Sequence, residues 1–301
     1  MSLKSIRKTV LFVLAKFAFD LALVLPRAFG LWLYGGLGGL LFFFPNREKT
    51  NTLNHLRFIF GDSWTEDKIK KTGRGVYRLL GKNMFDAVKL SRSPEQAFNA
   101  IVKYDDLGEF KKAFDQGRGV FVITAHVGCY EMLLHFFARH GFKSFAIGRK
   151  SLDPRLDGLI RAIRSGKDID YMDRDDSARR VVRYLREGRA FGVLIDQDIL
   201  VEGVFGTFLG RTAFTAVGPI KMAMRLKIPA FVVTTTRQPD NTHHVYFSRQ
   251  LEFRDTGDET ADLKTTIQTA NDLICGTIRK FPEQWVWMHR RWRQQPPQGK
   301  L

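Results

Sequence analysis

The hydrophobic pattern divides the chain into an apolar N-terminal part and a longer part in which strand and helix patterns alternate. The N-terminal part contains two apolar runs, Val10 to Leu25 and Leu31 to Phe44. From about residue 51 to residue 90 the pattern is helical and amphipathic, with Thr65 among the residues that can cap a helix start. This pattern predicts a helical N-terminal third.

Beyond residue 90, short apolar runs predict the strands of a largely buried sheet. They are Val120 to Thr124, Ser144 to Ile147, Ala190 to Ile195, Ala230 to Thr235 and Val245 to Ser248. Helical patterns separate most of them, at Glu131 to His140, Pro154 to Arg164, Ser177 to Glu187 and Ala213 to Lys227. This alternation predicts an α/β fold with a mainly parallel mixed sheet flanked by helices. Active sites in such folds gather at the carboxyl ends of the strands.

The two N-terminal runs are too short or too interrupted for a clean membrane-spanning helix, which needs about 20 apolar residues. Lys16 and Asp20 break the first run, so a helix lying in the bilayer interface fits better. Arg7 and Lys8 precede it, and no small-residue cleavage site follows. We therefore predict a membrane-anchor helical segment at residues 1–45 and a catalytic domain at residues 46–301. Two buried helices of a soluble core are the alternative.

Charge points to an anionic partner. The 301 residues include 48 Lys and Arg against 31 Asp and Glu, a formal net charge of +17. Lipid phosphate, an acidic carrier protein and nucleic acid would all attract such a chain. No zinc-finger, helix-turn-helix or RNA-recognition signature is visible, so we predict no nucleic-acid partner. The two cysteines, Cys129 and Cys275, have no metal-ligand spacing, and we predict neither a metal nor a cofactor.

The segment after the first predicted strand carries the best candidate for chemistry. In GVFVITAHVGCYEMLL, His126 directly follows the strand and Glu131 lies at the start of the next helix. An imidazole in this position can take a proton from an attacking hydroxyl, and a carboxylate can hold its tautomer. Gly128 between them allows a tight turn and a close substrate approach. The spacing alone is equally compatible with a structural histidine and a helix-start glutamate.

Two further blocks combine polar and aromatic residues. The strand AFGVLID ends in Asp196, Gln197 and Asp198, and a loop containing Arg211 follows. A metal at this turn would need more carboxylates nearby. The C-terminal block FPEQWVWMHRRWRQQP alternates tryptophans with Arg290 and Arg291. Aromatics beside cations suit a lipid headgroup interface, and a tail that packs into the core explains the tryptophans nearly as well.

Together these blocks resemble the late acyltransferases of lipid A biosynthesis, the lauroyl and myristoyl transferases. The shared motifs are His-x-x-x-x-Glu, Asp-Gln-Asp and Pro-Glu-Gln-Trp-x-Trp-x-His-Arg-Arg, together with LVLPRAFGLWLYGGLGG and TNTLNHLRFIFGD. They occur in the family's order over nearly the whole chain. The resemblance implies that His126 is the general base, that Glu131 is its partner, and that a lipid hydroxyl attacks an acyl thioester.

The resemblance also suggests further site residues and partners. Arg164 in IRAIRSG matches the family's arginine, which would stabilise an oxyanion or bind a phosphate. Our predicted substrate-binding residues are Gly128, Asp196, Asp198, Arg211, Arg290 and Arg291. The expected donor is acyl carrier protein or coenzyme A, and the expected acceptor is a lipid A precursor or a related anionic glycolipid at the cytoplasmic face of the bacterial inner membrane. Acylation of a lysophospholipid or of another glycolipid is the alternative.

Overall fold

Helices form the N-terminal third of the chain. In the computed structural model, which describes residues 3–174 and 178–296, they are α1 (Leu3–Val24), α2 (Arg27–Leu41), α3 (Arg47–Phe60) and α4 (Glu66–Ser91). The two apolar runs thus form α1 and α2. Thr65 caps α4, because its side-chain oxygen accepts a hydrogen bond from the Lys68 amide.

Helix α2 packs closely along α4. A Cβ atom at Gly38 would lie 2.3 Å from the carbonyl oxygen of Tyr77, so the two backbones meet where α2 has no side chain. The Arg27 guanidinium adds hydrogen bonds of 2.9 and 2.8 Å to the buried Asp86 carboxylate of α4. The predicted boundary near residue 45 falls between α2 and α3, and α2 is part of the packing beyond it.

The outer surface of α1 and α2 is strongly apolar. We call this surface, together with the residues that directly follow α2, the apolar face; its exposed large side chains include Val10, Val13, Leu14, Phe17, Trp32, Leu41, Phe43 and Phe44. The alternative of two buried core helices is therefore wrong, because these side chains point to solvent. Across the ranges that the structure describes, no helix combines the length and the apolar character needed to cross a bilayer.

A seven-stranded sheet forms the centre of the rest of the chain. The described strands are β1 (Val102–Tyr104), β2 (Val120–Thr124), β3 (Ser144–Gly148), β4 (Ile169–Asp173), β5 (Ala190–Leu194), β6 (Gly203–Phe208), β7 (Arg211–Ala216), β8 (Ala230–Arg237) and β9 (His243–Gln250). The sheet order is β1-β9-β8-β2-β5-β3-β4, and the five strands from β8 to β4 are parallel. Strand β9 is antiparallel to β8. The predicted mainly parallel mixed sheet is confirmed.

Helices flank this sheet. They are α5 (Glu95–Ile101), α6 (Gly108–Phe114), α7 (Leu133–Arg139), α8 (Pro154–Arg164), α9 (Ala178–Arg186), α10 (Gly218–Arg225) and α11 (Glu259–Lys280). Ser177, the predicted start of α9, lies outside the described residues. The helix predicted from Ala213 begins only at Gly218, because Ala213–Ala216 belongs to β7, which forms an antiparallel hairpin with β6. The alternating Thr and Phe of RTAFTA favour a strand, and Pro219 suits the first turn of α10.

The sheet topology determines where chemistry can occur. Strand β2 lies in the middle of the sheet and all five of its residues are buried. Its neighbour β5 runs parallel to it, with Thr124 opposite Leu194. Because parallel strands end at the same edge, the segments that follow β2 and β5 are neighbours in space. The first contains His126 and the second contains Asp196.

Candidate active site

His126 is held by the carboxylate that follows the neighbouring strand. Its Nδ1 lies 2.8 Å from Oδ1 of Asp196, and its backbone N–H donates to Oδ2 of the same carboxylate at 2.9 Å. The indole N–H of Trp285 also donates to Oδ2, at 2.7 Å. The Asp196 side chain is fully buried, whereas 14% of the His126 side chain is exposed. The buried Asp196 carboxylate thus orients the imidazole, and part of the ring is accessible to solvent.

These contacts determine the charge of Asp196 and the tautomer of His126. Burial alone would raise the pKa of Asp196, but His126 and the Trp285 indole outweigh it and hold that pKa well below its usual range. Asp196 is therefore an anion that needs hydrogen-bond donors. The proton of a neutral His126 consequently sits on Nδ1, and Nε2 carries the free lone pair. A lone pair on Nε2 is what a general base requires.

Glu131 occupies a different position from the one that the spacing suggested. It lies in a short 3-10 turn, Tyr130–Met132, and its carboxylate accepts two hydrogen bonds from Arg164, at 2.7 and 2.5 Å. Among the described residues, the carboxylate in contact with Nδ1 of His126 is Asp196. The prediction that Glu131 holds the His126 ring is therefore wrong. Sequence spacing favoured the near glutamate, but strand adjacency brings Asp196 to the ring.

Arg164 is the final residue of α8 and forms a planar pair with Glu131. Its third guanidinium nitrogen, Nη1, donates to the Tyr171 hydroxyl at 2.8 Å. Burial by itself lowers the pKa of Arg164, but the hydrogen bonds and charge of Glu131 outweigh it and raise the pKa above its usual value. Arg164 is therefore a permanent cation in a fixed orientation.

Gly128 makes the turn between His126 and Glu131 possible. Its φ of +59° lies in the left-handed region, and a Cβ atom there would lie 2.1 Å from the carbonyl oxygen of Thr235. Its backbone N–H donates to the carbonyl oxygen of Gln284 at 2.8 Å. The glycine therefore lets the loop after β2, residues 125–129, pack against β8 and the C-terminal block. We call this loop the catalytic loop. Its predicted contact with substrate remains a prediction.

Gln197 and His289 are also at the site, although the sequence analysis assigned them no role. The side-chain Nε2 of Gln197 lies 3.0 Å from Nε2 of His126 and 2.9 Å from Nε2 of His289. Burial, followed by the charge of His126, lowers the pKa of His289 to about 4. Both residues lie inside blocks that carried the family resemblance. Only the folded chain brings them together, because 92 positions separate them.

Most of the other predicted substrate-binding residues have structural partners. The fully buried carboxylate of Asp198 accepts hydrogen bonds from Arg293 and Gln294. Arg291 is also fully buried and donates to the backbone of Phe214 and to the Thr215 hydroxyl. Direct substrate contact by Asp196, Asp198 or Arg291 is therefore a wrong prediction, because each side chain is enclosed.

The remaining two arginines are accessible. Arg211 donates to the backbone oxygen of Phe58 at the surface, and Arg290 is exposed. Their substrate contacts remain predictions. In the C-terminal block, Trp285 and Trp287 are 1% and 0% exposed, so these tryptophans pack into the core instead of forming a headgroup interface.

An apolar cavity of about 380 Å³ begins at the catalytic loop. Helices α1, α2, α4 and α8 supply most of its wall, and Gly128, Glu131 and Arg164 line it. A second cavity of about 50 Å³ lies between α7 and the sheet and also touches Glu131 and Arg164. The ion pair thus borders two apolar spaces, and both also touch Tyr130, whose ring centroid lies 4.8 Å from that of His126. Such apolar spaces suit hydrocarbon.

Comparison with known proteins agrees with this geometry. The sequence model of the family described as "Bacterial lipid A biosynthesis acyltransferase" matches residues 2–294, nearly the whole chain. No curated protein gives a significant match. The chain belongs to the bacterial lipid A biosynthesis acyltransferase family and is therefore an enzyme that transfers acyl groups other than aminoacyl groups.

Proposed function

We propose that this enzyme moves a fatty acyl group from an acyl thioester to a hydroxyl of a lipid A precursor or a related anionic glycolipid, with His126 as general base. The observation that carries the proposal is the buried Asp196 carboxylate, which leaves the Nε2 lone pair of His126 free. The donor in this proposal is acyl carrier protein or coenzyme A. The high positive charge of the chain, +17, favours an anionic acceptor and an acidic donor carrier.

The reaction follows from the protonation states. Nε2 of His126 takes the proton of the acceptor hydroxyl while the hydroxyl oxygen forms a bond to the thioester carbonyl carbon. The anion of Asp196 stabilises the imidazolium that results. The C–S bond then breaks, and the leaving thiolate takes the proton from His126. One C–O bond replaces one C–S bond, and the imidazole returns to its starting state.

Arg164 serves the developing charge in this proposal. Its guanidinium nitrogens Nη1 and Nη2 each carry one further N–H, beyond the one that Nη1 donates to Tyr171 and the one that Nη2 donates to Glu131. A fixed, largely buried cation stabilises an oxyanion more strongly than it would in bulk water. The large cavity accommodates the donor's acyl chain in our proposal, because its walls are mainly apolar and Gly128 and Glu131 form part of them.

The decisive test compares two acceptor lipids, and it compares His126→Ala with the wild-type enzyme. Purified enzyme would be given acyl carrier protein or coenzyme A thioesters with either a lipid A precursor or a lysophospholipid, and products would be identified by mass spectrometry. We expect acylation of the lipid A precursor, and a loss of about 100- to 10,000-fold in turnover for folded His126→Ala. Preferential acylation of the lysophospholipid would replace the proposed acceptor, and a fully active His126→Ala enzyme would refute the mechanism.

We further propose that the apolar face lies in the cytoplasmic leaflet of the inner membrane. Exposed aromatic residues such as Phe17 and Trp32 suit the acyl and headgroup boundary, and the exposed Arg74 of α4 stacks over Phe43 at its edge. Anionic lipid would attract this arginine while the apolar side chains leave water.

The membrane proposal predicts a change in fractionation. Replacing two exposed side chains by Leu14→Glu and Trp32→Glu should move the protein toward the soluble fraction without unfolding it, because neither side chain is buried. Leu273→Glu on α11 is the matched control, since Leu273 is exposed but lies outside the apolar face. Equal membrane binding by all variants would mean that another surface binds lipid.

A further inference from the structure

The amide of Gln197 lies between two imidazoles at the reaction centre. Its Nε2 is 3.0 Å from Nε2 of His126 and 2.9 Å from Nε2 of His289. The two rings are close, with 5.0 Å between their centroids. The turn after β5 supplies Gln197, and the C-terminal block supplies His289. Two blocks that are distant in sequence therefore meet at one amide group.

The position of the amide defines both contacts. Nδ1 of His126 donates to the Asp196 anion, and Gln197 Nε2 lies 3.5 Å from Nδ1 as well as 3.0 Å from Nε2, so the amide sits over the face of the ring and leaves the in-plane lone pair of Nε2 free. His289 has a pKa of about 4 and is neutral near pH 7, so its Nε2 can accept a hydrogen bond. A primary amide has two N–H groups. Gln197 thus keeps one N–H beside the base nitrogen of His126 and gives the other to His289.

The first of these N–H groups lies next to the place that a substrate hydroxyl needs. A general base must come within about 2.6–3.2 Å of the oxygen whose proton it removes. Gln197 Nε2 lies 3.0 Å from the base nitrogen but over the ring face, so a hydroxyl can bind in line with the Nε2 lone pair while the amide stays beside the reacting atoms. The second N–H remains bonded to His289 and keeps the amide in place.

We propose that Gln197 donates the N–H that lies beside His126 to the thioester carbonyl oxygen as that oxygen becomes an oxyanion, and that His289 positions the amide for this contact. The inference rests on the proposed function with His126 as base. While the hydroxyl oxygen bonds to the carbonyl carbon, the C=O electron pair moves onto the oxygen, where the amide N–H receives it. The pair returns when the C–S bond breaks, so Gln197 is chemically unchanged.

Gln197 also complements Arg164. The guanidinium is committed on one edge to Glu131 and at Nη1 to Tyr171, so it cannot turn freely toward the carbonyl oxygen. Oxyanion sites in acyl transfer commonly combine more than one donor, and loss of one costs about 100- to 1,000-fold in turnover. A neutral amide adds such a donor without altering the charge around His126.

The test for Gln197 removes its N–H groups and keeps its approximate size. Gln197→Leu should lower kcat by about 100- to 1,000-fold with little change in the KM for the thioester. Gln294→Leu is the control, because Gln294 also contacts the turn that holds Gln197 but bonds Asp198. We expect it to affect thermal stability more than kcat. A Gln197→Leu enzyme with kcat within about threefold of wild type would overturn the proposal.

Analogue binding distinguishes oxyanion contact from a general structural role. Dodecyl methylphosphonate presents charged oxygen atoms on a tetrahedral centre, whereas dodecyl methyl thioether presents none. Gln197→Leu should weaken phosphonate binding by roughly the same factor as kcat and leave thioether binding unchanged. Equal weakening for both analogues would overturn the oxyanion role, because it would reflect a distorted cavity.

His289 is tested by restoring the acceptor. His289→Leu removes the group that accepts from Gln197, so kcat and phosphonate affinity should both fall about tenfold or more. His289→Gln offers a carbonyl oxygen as acceptor and should recover part of both losses. Failure of His289→Gln to recover either would overturn the positioning role.

The activity of His126→Ala distinguishes failure of the proposed function from failure of the oxyanion role of Gln197. If His126→Ala stays active, the proposed function fails. If it is inactive while Gln197→Leu is active, the oxyanion assignment alone fails.

Discussion

The two sides of the reaction centre are held in different ways. On the histidine side, formed by His126, Asp196 and Trp285, the carboxylate is fully buried and lies just beyond the ends of two parallel strands. On the arginine side, formed by Glu131 and Arg164, 21% and 25% of the side chains remain exposed beside the large cavity. The first side is enclosed by protein, and the second borders the space available to a ligand.

This difference in burial indicates that the two sides have different roles in the reaction. A buried charge without its partner costs several kcal/mol, so the histidine side tolerates only one arrangement. The arginine side is partly exposed, so its cation can act on what enters the cavity while Glu131 and Tyr171 hold its orientation. We infer that the histidine side sets the protonation state of the base, and that the arginine side supplies a fixed positive charge beside the acyl group.

The largest expected effect comes from breaking the histidine side at Asp196. Asp196→Asn keeps the shape but places an NH₂ group against a donor, either the Nδ1–H of His126 or the N–H groups at Oδ2. The imidazole should then carry its proton on Nε2, which removes the base. We expect kcat to fall by about 1,000- to 10,000-fold, as when the carboxylate of a comparable triad is lost.

Asp198→Asn provides the matched control. Asp198 is two positions away and equally enclosed, but its carboxylate faces Arg293 and Gln294. This variant should lower the thermal midpoint and change kcat by less than about tenfold. If both variants lose the same activity, the turn as a whole matters and Asp196 has no separate role.

The next effect addresses the arginine side. Arg164→Ala should lower kcat by about 100- to 1,000-fold, because it removes the cation beside the carbonyl oxygen. Arg164→Lys should recover only part, since an ammonium group cannot bond Glu131 at two points and Tyr171 at a third. Turnover measured for these variants and for Arg161→Ala decides the matter, because Arg161 lies on the same helix but pairs with Asp157 and Asp173.

Glu131→Gln makes this prediction sharper. It retains one acceptor for Arg164 and should cost about 10- to 100-fold, the value of a lost charge-assisted contact. Since Asp196 holds the His126 ring, the pH dependence of kcat should keep its acidic limb. A displaced acidic limb would restore Glu131 as the partner of His126.

Equal and small losses for Arg164→Ala, Arg164→Lys and Arg161→Ala would mean that the helix supplies only diffuse positive charge.

Much of the central sheet could be predicted from the chain alone. The run Val120 to Thr124 coincides with β2, because every residue of a central strand is buried and the apolar run is continuous. Strand β4, IDYMD, was missed because it is an edge strand with two aspartates and a mixed pattern. The hairpin of β6 and β7 was missed because the glycines of GVFGTF favour a loop, whereas the alanines of RTAFTA also suit the start of a helix.

The site was predictable only where local sequence determines position. His126 follows a buried strand, and that placement is a local property. Its partner depends on which strand lies beside β2, and sequence spacing carries no information about this. The same limit applies to Gln197 and His289, which come from segments 92 positions apart. Arg291 was predicted to bind substrate, and only its contacts with Phe214 and Thr215 reveal a buried structural role.

The smallest expected effect tests the cavity that borders the arginine side. Ala87 lies on α4 in the cavity wall, so Ala87→Leu should shorten the space for the donor's acyl chain. Displacing two methylenes from burial costs about 1.6 kcal/mol, or roughly 15-fold in kcat/KM for the longest donor accepted. Ile160→Ala, in the part of the wall that α8 supplies, should extend the range to longer chains. Kinetics across donors of graded length would show opposite shifts, with short donors unaffected because the histidine side is intact. Shifts in the same direction, or none, would mean that the acyl chain occupies another space.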